Sequence, residues 1–300
     1  MNRRNTPRIS FIGFGEAGQA IASGLREAGI ERVAAWDILF PESAGTRLKA
    51  AGEKIGARVA SSVGDAVRDT DIVISAVTAA SSLDAARSVA PHLTGNPYFL
   101  DINSVSPGRK QETARLLERR ARYVDVAVVA AIHPARHRTP LLISGPHADE
   151  IKPLLGELEM QFSVVGPQTG SAAAIKMIRS VMIKGIEALT LECFLAASRA
   201  GVLEEVTASL KNNYPTLDWT KIADYNLERM ASHGERRAAE MEESAATLRE
   251  LGIDPVMVNS TVQRQREMGA IGRMETVRKS LESGRAAILG AISAAAKDRH

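Results

Sequence analysis

Ile9-Ser10-Phe11-Ile12-Gly13-Phe14-Gly15-Glu16-Ala17-Gly18 places an apolar run directly before three glycines separated by one and then two residues. Such a run reads as a buried strand entering a tight turn that opens a helix. Gly13 allows the turn, Gly15 lets backbone approach a pyrophosphate, and Gly18 lets the helix pack closely on the strand. Phe14, Glu16 and Ala17 complete the turn and the first helical positions, where backbone N–H groups point at phosphate oxygens. Alone the pattern is weak, because glycines also end strands for structural reasons.

The residues downstream strengthen it. The next apolar run, Val33-Ala34-Ala35-Trp36, ends in Asp37, 19 residues after Gly18, close to the spacing at which a carboxylate accepts from adenosine ribose hydroxyls. Ile38, Leu39 and Phe40 follow, with no Arg to hold a 2′-phosphate, so NAD is expected over NADP. The alternative for Asp37 is that it merely opens a turn. Val77, Thr78, Asn103 and Ser104 lie just past strand ends, where a doubly wound sheet holds its ligand; the alternative is helix capping.

Strands are expected at Ile9 to Gly13, Arg32 to Asp37, Arg58 to Ala60, Asp71 to Val77, Tyr98 to Ile102, Tyr123 to Val129, Leu141 to Ser144 and Phe162 to Val165, alternating with helices. The fold class is α/β, a doubly wound Rossmann-type parallel sheet spanning residues 1–168. After Gly166-Pro167-Gln168-Thr169-Gly170 only helical periodicity follows, so residues 169–300 form an all-helical second domain for substrate and dimer contacts. Its helices are expected at Ser171 to Ala200, Leu203 to Asn212, Trp219 to Met230, Gly234 to Leu251, Pro255 to Glu267 and Glu275 to Ala296.

Composition excludes several classes. The 300 residues are 45% hydrophobic, with 38 Lys and Arg against 35 Asp and Glu and no long basic run, so nucleic acid is not the expected partner. Cys193 is the only cysteine, which rules out an intramolecular disulfide or zinc cluster and fits a reducing, cytoplasmic compartment. Met1 to Arg8 is polar and basic, but Gly13, Gly15 and Glu16 break the apolar stretch behind it, which makes a poor leader. The longest apolar region, Met177 to Ala197, carries charges unsuited to a membrane span.

Oxidising an alcohol requires a base for the hydroxyl proton, or an electrophile for the alkoxide. Lys176, one and a half turns into the first helix of the second domain, is the catalytic candidate, because partial burial would lower its pKa toward the working range. Ser180, four residues on, shares its helix face and is expected to point at the same substrate. The alternative is a lysine whose charge snorkels to the surface. His133-Pro134-Ala135-Arg136-His137-Arg138 lacks the carboxylate or cysteine of a metal site, and is either an anion-binding or a solvated basic loop. Arg236 and Arg237 either bind a substrate carboxylate or pair with Glu240. Cys193 is expected in the core; Trp219, Tyr214 and Tyr225 either line a pocket or pack helices.

Taken in order, the glycine turn, Asp101-Ile102-Asn103-Ser104-Val105-Ser106-Pro107, the strand Asp125-Val126-Ala127-Val128-Val129, and Gly170 with Lys176 resemble the β-hydroxyacid dehydrogenase family, which includes 3-hydroxyisobutyrate dehydrogenase and 6-phosphogluconate dehydrogenase. The resemblance covers nearly the whole chain. It implies a catalytic Lys176, nicotinamide contacts from Asn103 and Ser104 with Ser104 also at the substrate, substrate contacts at Val129 and Ala130, and a helical domain that builds a homodimer. The chain also departs from the family. Val128-Val129-Ala130-Ala131 stands where the family carries a serine and glycines, and Ser180 where it has asparagine. A later family lysine has no counterpart near Ala238 and Ala239. His233 to Glu243 resembles a phosphogluconate-dehydrogenase-like subgroup with a variant C-terminal domain. The expected activity is hydride transfer between NAD and a β-hydroxy-acid-like alcohol. The alternatives are C=N reduction, as in imine reductases, and non-catalytic dinucleotide sensing.

Overall fold

The computed structural model describes residues 6–297. Most of the basic stretch Met1 to Arg8, and the end of the helical pattern toward His300, lie outside the described residues. By contacts the chain divides into two units, Met1–Lys176 and Met177–His300, with the division inside a long helix.

The first unit alternates strands and helices: β1 (Ile9–Ile12), α1 (Glu16–Glu27), β2 (Val33–Trp36), α2 (Thr46–Ile55), β3 (Arg58–Val59), α3 (Val63–Val67), β4 (Ile72–Ser75), α4 (Ser82–Val89), β5 (Tyr98–Asp101), α5 (Pro107–Leu117), β6 (Arg122–Val128), β7 (Leu141–Ser144), α6 (Lys152–Glu157) and β8 (Phe162–Val164), followed by α7 (Ser171–Ala200). They form one sheet in the order β3-β2-β1-β4-β5-β6-β7-β8. β1, β4 and β5 are buried along their whole length, which is why they read as unbroken apolar runs rather than alternating ones. β1 pairs in parallel with both β2 and β4. The chain winds outward from β1 through β3 and then returns to its other side, so the C-terminal ends of β1 and β4 flank a switch point, where such sheets bind ligands.

One strand departs from the parallel expectation. β7 runs antiparallel to β6, with Asp125 opposite Ser144 and Val128 opposite Leu141. A parallel return needs a crossover, usually a helix, whereas residues 129–140 hold only a single 3₁₀ turn, Arg136–Arg138, and the chain doubles back.

The second unit holds the rest of α7, α8 (Leu203–Asn213), α9 (Trp219–Glu250), α10 (Val256–Gly272), α11 (Glu275–Ser280) and α12 (Arg285–Lys297). Its core gathers Leu191, Phe194, Leu227, Met230, Met268, Ile271, Leu289 and Ile292. Two expectations fail here. The break placed between Met230 and Gly234 does not occur, and α9 is continuous. A Cβ on Gly234 would stand 2.4 Å from Gln265 O and from Gly269 N, so this glycine serves the close approach of α10 rather than a turn. Conversely, the single helix expected from Glu275 to Ala296 is interrupted before Arg285, at Gly284 with φ +87°.

Candidate functional site

Gly13 leaves β1 with φ +89°, and a Cβ there would lie 2.4 Å from the Ala76 carbonyl oxygen. Only glycine lets the chain turn this close to the end of β4. Gly15 opens α1, where an added Cβ would meet nothing within 4 Å, and no side chain caps the helix. An uncapped helix N-terminus beside open space suits a phosphate group, because first-turn amides and the helix dipole both favour an anion. The residues Gly13 to Gly18 therefore fit a dinucleotide's pyrophosphate.

Asp37 follows β2 and reaches back to this turn. Its Oδ2 accepts from Phe14 N at 2.7 Å and its Oδ1 from Leu39 N at 3.0 Å. It thus opens its own turn and braces the glycine turn at once, and each carboxylate oxygen keeps acceptor capacity for a ribose hydroxyl. Ile38 beside it is 82% exposed.

Across the switch point, Asn103 is buried and its side chain is used internally. Its Oδ1 accepts from Val77 N at 2.7 Å and its Nδ2 donates to Ser75 Oγ at 2.9 Å. Asn103 therefore stitches the segment after β5 to the segment after β4. Thr78 caps no helix; its hydroxyl donates to Ser81 Oγ at 3.0 Å. The next residue, Ser104, accepts a hydrogen bond from Lys176 Nζ at 2.6 Å. Lys176 is half-buried. The sequence candidates Ser104 and Lys176 thus meet at the C-terminal edge of the sheet.

A buried charged cluster behind them carries no expectation from sequence. Asp101, Lys110 and Asp125 are each at most 1% exposed. Lys110 Nζ stands 3.1 Å from Asp101 Oδ1 and 3.5 Å from Asp125 Oδ1. Tyr123 donates its hydroxyl to Asp101 Oδ2 at 2.8 Å. Full burial, with both carboxylates nearby, holds this phenol well above its usual range, so it stays a neutral donor. Lys110 gives a sequence signal only in hindsight: it shares the buried face of α5 with Thr113 and Leu117.

Val128 and Val129 are half-buried and Ala130 and Ala131 exposed, while Val129 N donates to Pro140 O at 3.2 Å. The basic loop beyond them is neither an open anion site nor simply solvated. Arg136 donates to Glu27 Oε2 at 2.6 Å, Arg138 pairs with Glu159, and His137 is buried with neither ring nitrogen hydrogen-bonded. Among the described residues no group of three His, Cys, Asp or Glu could hold a metal ion, and no helix is long and apolar enough to cross a membrane.

Two proposed substrate residues fall in the second unit, and the structure corrects one. Arg237 is 7% exposed and faces neither an open pocket nor Glu240; it forms a two-pronged pair with Glu187, whose Oε2 also accepts from Gln265 Nε2 at 2.9 Å. A guanidinium on the inner face of α9 needs such a partner to be buried at all. Glu240 instead pairs with Lys184 at 2.9 Å. Lys184 also donates to Ser180 Oγ at 3.2 Å. Cys193 and Trp219 pack against the helical core, Tyr214 meets Trp219 edge-on at 5.9 Å, and Tyr225 is 60% exposed.

Residues 8–166 match the NAD binding domain of 6-phosphogluconate dehydrogenase, and residues 197–268 match a domain of unknown function (DUF1932). A conserved hypothetical protein from Sinorhizobium meliloti 1021 is 35% identical, covers 98% of each chain and superposes with a TM-score of 0.78. MTH1747, a conserved protein of unknown function described as structurally similar to 3-hydroxyacid dehydrogenases, is 32% identical over 88% of this chain and 97% of its own, with a TM-score of 0.70. At 15% identity, a likeness of fold alone, Mycobacterium tuberculosis 3-hydroxyisobutyrate dehydrogenase covers 97% of this chain and 99% of its own, with a TM-score of 0.71. With a glycine turn that fits a dinucleotide's pyrophosphate, a matching N-terminal half and a helical C-terminal region, the chain belongs to the β-hydroxyacid dehydrogenase family, built on the NAD binding domain of 6-phosphogluconate dehydrogenase.

Proposed function

We propose that the chain is an NAD-dependent oxidoreductase acting on the CH–OH group of a β-hydroxy-acid-like substrate, with Lys176 as acid and base. The observation that carries this reading is the 2.6 Å contact between Lys176 Nζ and Ser104 Oγ at the C-terminal edge of the sheet. A nicotinamide dinucleotide bound along Gly13 to Gly18 supplies the hydride acceptor or donor. The neutral Lys176 amine takes the substrate's hydroxyl proton, and as ammonium returns it in the reverse direction. Ser104 accepts from Nζ, which leaves its own O–H to donate to the substrate oxygen.

Asp37 supports NAD over NADP, since its carboxylate, fixed by two backbone amides, opposes a 2′-phosphate and no arginine follows at 38–40. The run from Val128 to Ala131 supports a substrate less polar or bulkier than 3-hydroxyisobutyrate. Assembly follows from α7: Ile175, Ile178, Met182, Ile186 and Leu189 recur at helical spacing and are 40–65% exposed. We infer that a second copy of the chain covers this stripe.

Turnover tested over β-hydroxy acids of graded size and over cyclic imines, with NAD and NADP, decides the reading. Lys176→Ala lowers kcat on the accepted hydroxy acid by about 10²–10⁴-fold, and NADH affinity stays within about twofold because the nucleotide contacts lie elsewhere. Unchanged turnover in that variant refutes the role of the lysine. Activity on imines alone assigns C=N reduction instead. NADH binding without turnover of any compound makes the chain a dinucleotide-binding protein without catalysis.

A further inference from the structure

The buried cluster of Asp101, Lys110 and Asp125 holds the backbone segments that carry both partners of the Lys176–Ser104 pair. Asp125 Oδ2 accepts from Gly170 N and Ala173 N, each at 3.1 Å, and from Ser144 Oγ at 2.8 Å. Ser144 Oγ in turn accepts from Ala172 N at 3.0 Å. The amides that open a helix have no partners within it. At the start of α7, Gly170 N and Ala173 N are satisfied by a carboxylate from β6 and Ala172 N by a hydroxyl from β7, while Ser171 N donates to Gln168 O, so the start of the helix is pinned to the sheet six residues before Lys176. On the other side, Asp101 Oδ1 accepts from Asn103 N at 3.0 Å and fixes the turn that carries Ser104. Lys110 sits between the two carboxylates and donates to the Asp101 carbonyl as well.

The charges explain why the parts act together. Two carboxylates and one ammonium leave one buried negative charge, and the positive end of α7, equivalent to about half a charge, lies against it. The helix is therefore part of the charge balance of the cluster as well as a group capped by it.

We propose that Asp125, with Lys110 and Asp101 behind it, is a positioning device that holds Lys176 against Ser104 and so sets the reactivity of that amine. None of the three touches substrate. The inference rests on the assignment of Lys176 as the acid and base.

The test reads the amine directly, independently of turnover. In the full chain, Asp125→Asn keeps the shape and removes the charge. Lys176 and the exposed Lys54 are acetylated in competition across a pH series, and both peptides are quantified by mass spectrometry. The Lys176-to-Lys54 ratio rises severalfold in the variant and its pH midpoint moves, while NADH affinity stays within about twofold. On a hydroxy acid accepted by the parent protein, kcat falls about tenfold to a hundredfold with KM little changed, the size expected for displacing a reacting group by roughly 1 Å. An unchanged ratio and midpoint in folded Asp125→Asn overturns the proposal. If that variant does not fold, Ser144→Ala, which removes the hydroxyl that joins Asp125 to the Ala172 amide, is read in the same way, and an unchanged ratio there overturns it equally. A parent protein that turns over no hydroxy acid refutes the proposed reaction, yet the labelling ratio still decides the positioning role.

Discussion

Replacing Asp37 by Ser separates two jobs that one carboxylate performs. Asp37 braces the glycine turn through Phe14 N at 2.7 Å and Leu39 N at 3.0 Å, and it stands where the adenosine ribose is expected. A hydrogen bond to a charged acceptor contributes about 1.5–3 kcal/mol. Losing the ribose contact therefore weakens NADH binding by about 10- to 100-fold. For NADPH the same change removes a repulsion. Two unit charges about 4 Å apart interact by about 1 kcal/mol in water and about 4 kcal/mol near a protein surface. A doubly charged 2′-phosphate against the carboxylate thus costs about 2 kcal/mol or more, a factor of roughly 30. Asp37→Ser should accordingly weaken NADH while leaving NADPH unchanged or tighter. Fluorescence titration of both reduced nucleotides against the parent and the variant measures this. Equal weakening of the two would mean that the carboxylate only organises the turn. Tighter binding of NADPH than NADH by the parent would refute the NAD preference outright.

Two further outcomes follow from buried or uncovered side chains. Burial, together with the Arg138 and Arg136 guanidinium groups, holds His137 below its usual value of 6.5 against the weaker opposing pull of Glu159 and Glu27. A depressed histidine contributes stability that is fully present above pH 6.5 and is lost as pH falls from there through the folded value. The urea midpoint should therefore drop as pH falls below 6.5, and His137→Leu should remove that drop; an identical acid slope in the variant would refute it. Carboxylates such as Glu150, held down to about 2 by hydrogen bonds from His147, Arg122 and Tyr98, lose their contribution only at lower pH and do not obscure this window. For assembly, sedimentation should give a dimer of the 32.2 kDa chain, with Ile178→Glu plus Met182→Glu shifting it to monomer; a stable monomeric parent at micromolar concentration contradicts the proposed interface.

The parts of the site that were legible in the sequence are those whose cause is local. A positive φ and a close approach at Gly13 demand glycine, and a strand-turn-helix order displays that demand within ten residues. Asp37 is legible for the same reason, since strand β2 delivers it at a fixed interval. Lys176 is legible from its helix and Ser104, 72 residues away, from its place just past a strand end, but the sequence does not show that the two meet. Gly234 was misread as a break because its reason for being glycine lies on another helix, at Gly269.

Charged side chains were the least legible, and the physical reason is common to them. A Lys or Arg in a helical pattern reads as solvated by default, because burial without a partner is prohibitive and the partner is distant in sequence. Lys110 lies in α5, rich in Arg, Gln and Glu, and looks like surface; its burial becomes affordable only because Asp101 and Asp125 arrive from β5 and β6. Arg237 failed in the opposite direction. The sequence offers it a substrate carboxylate or Glu240, whereas Glu187 on α7 already supplies its partner. A charge can be offered to a ligand only when the fold has left it unmatched. By that criterion Arg237 is spent inside the helical unit. Asp125 is also spent, but on the amides that open α7, and those amides lead within two turns to the lysine on which the proposed chemistry depends.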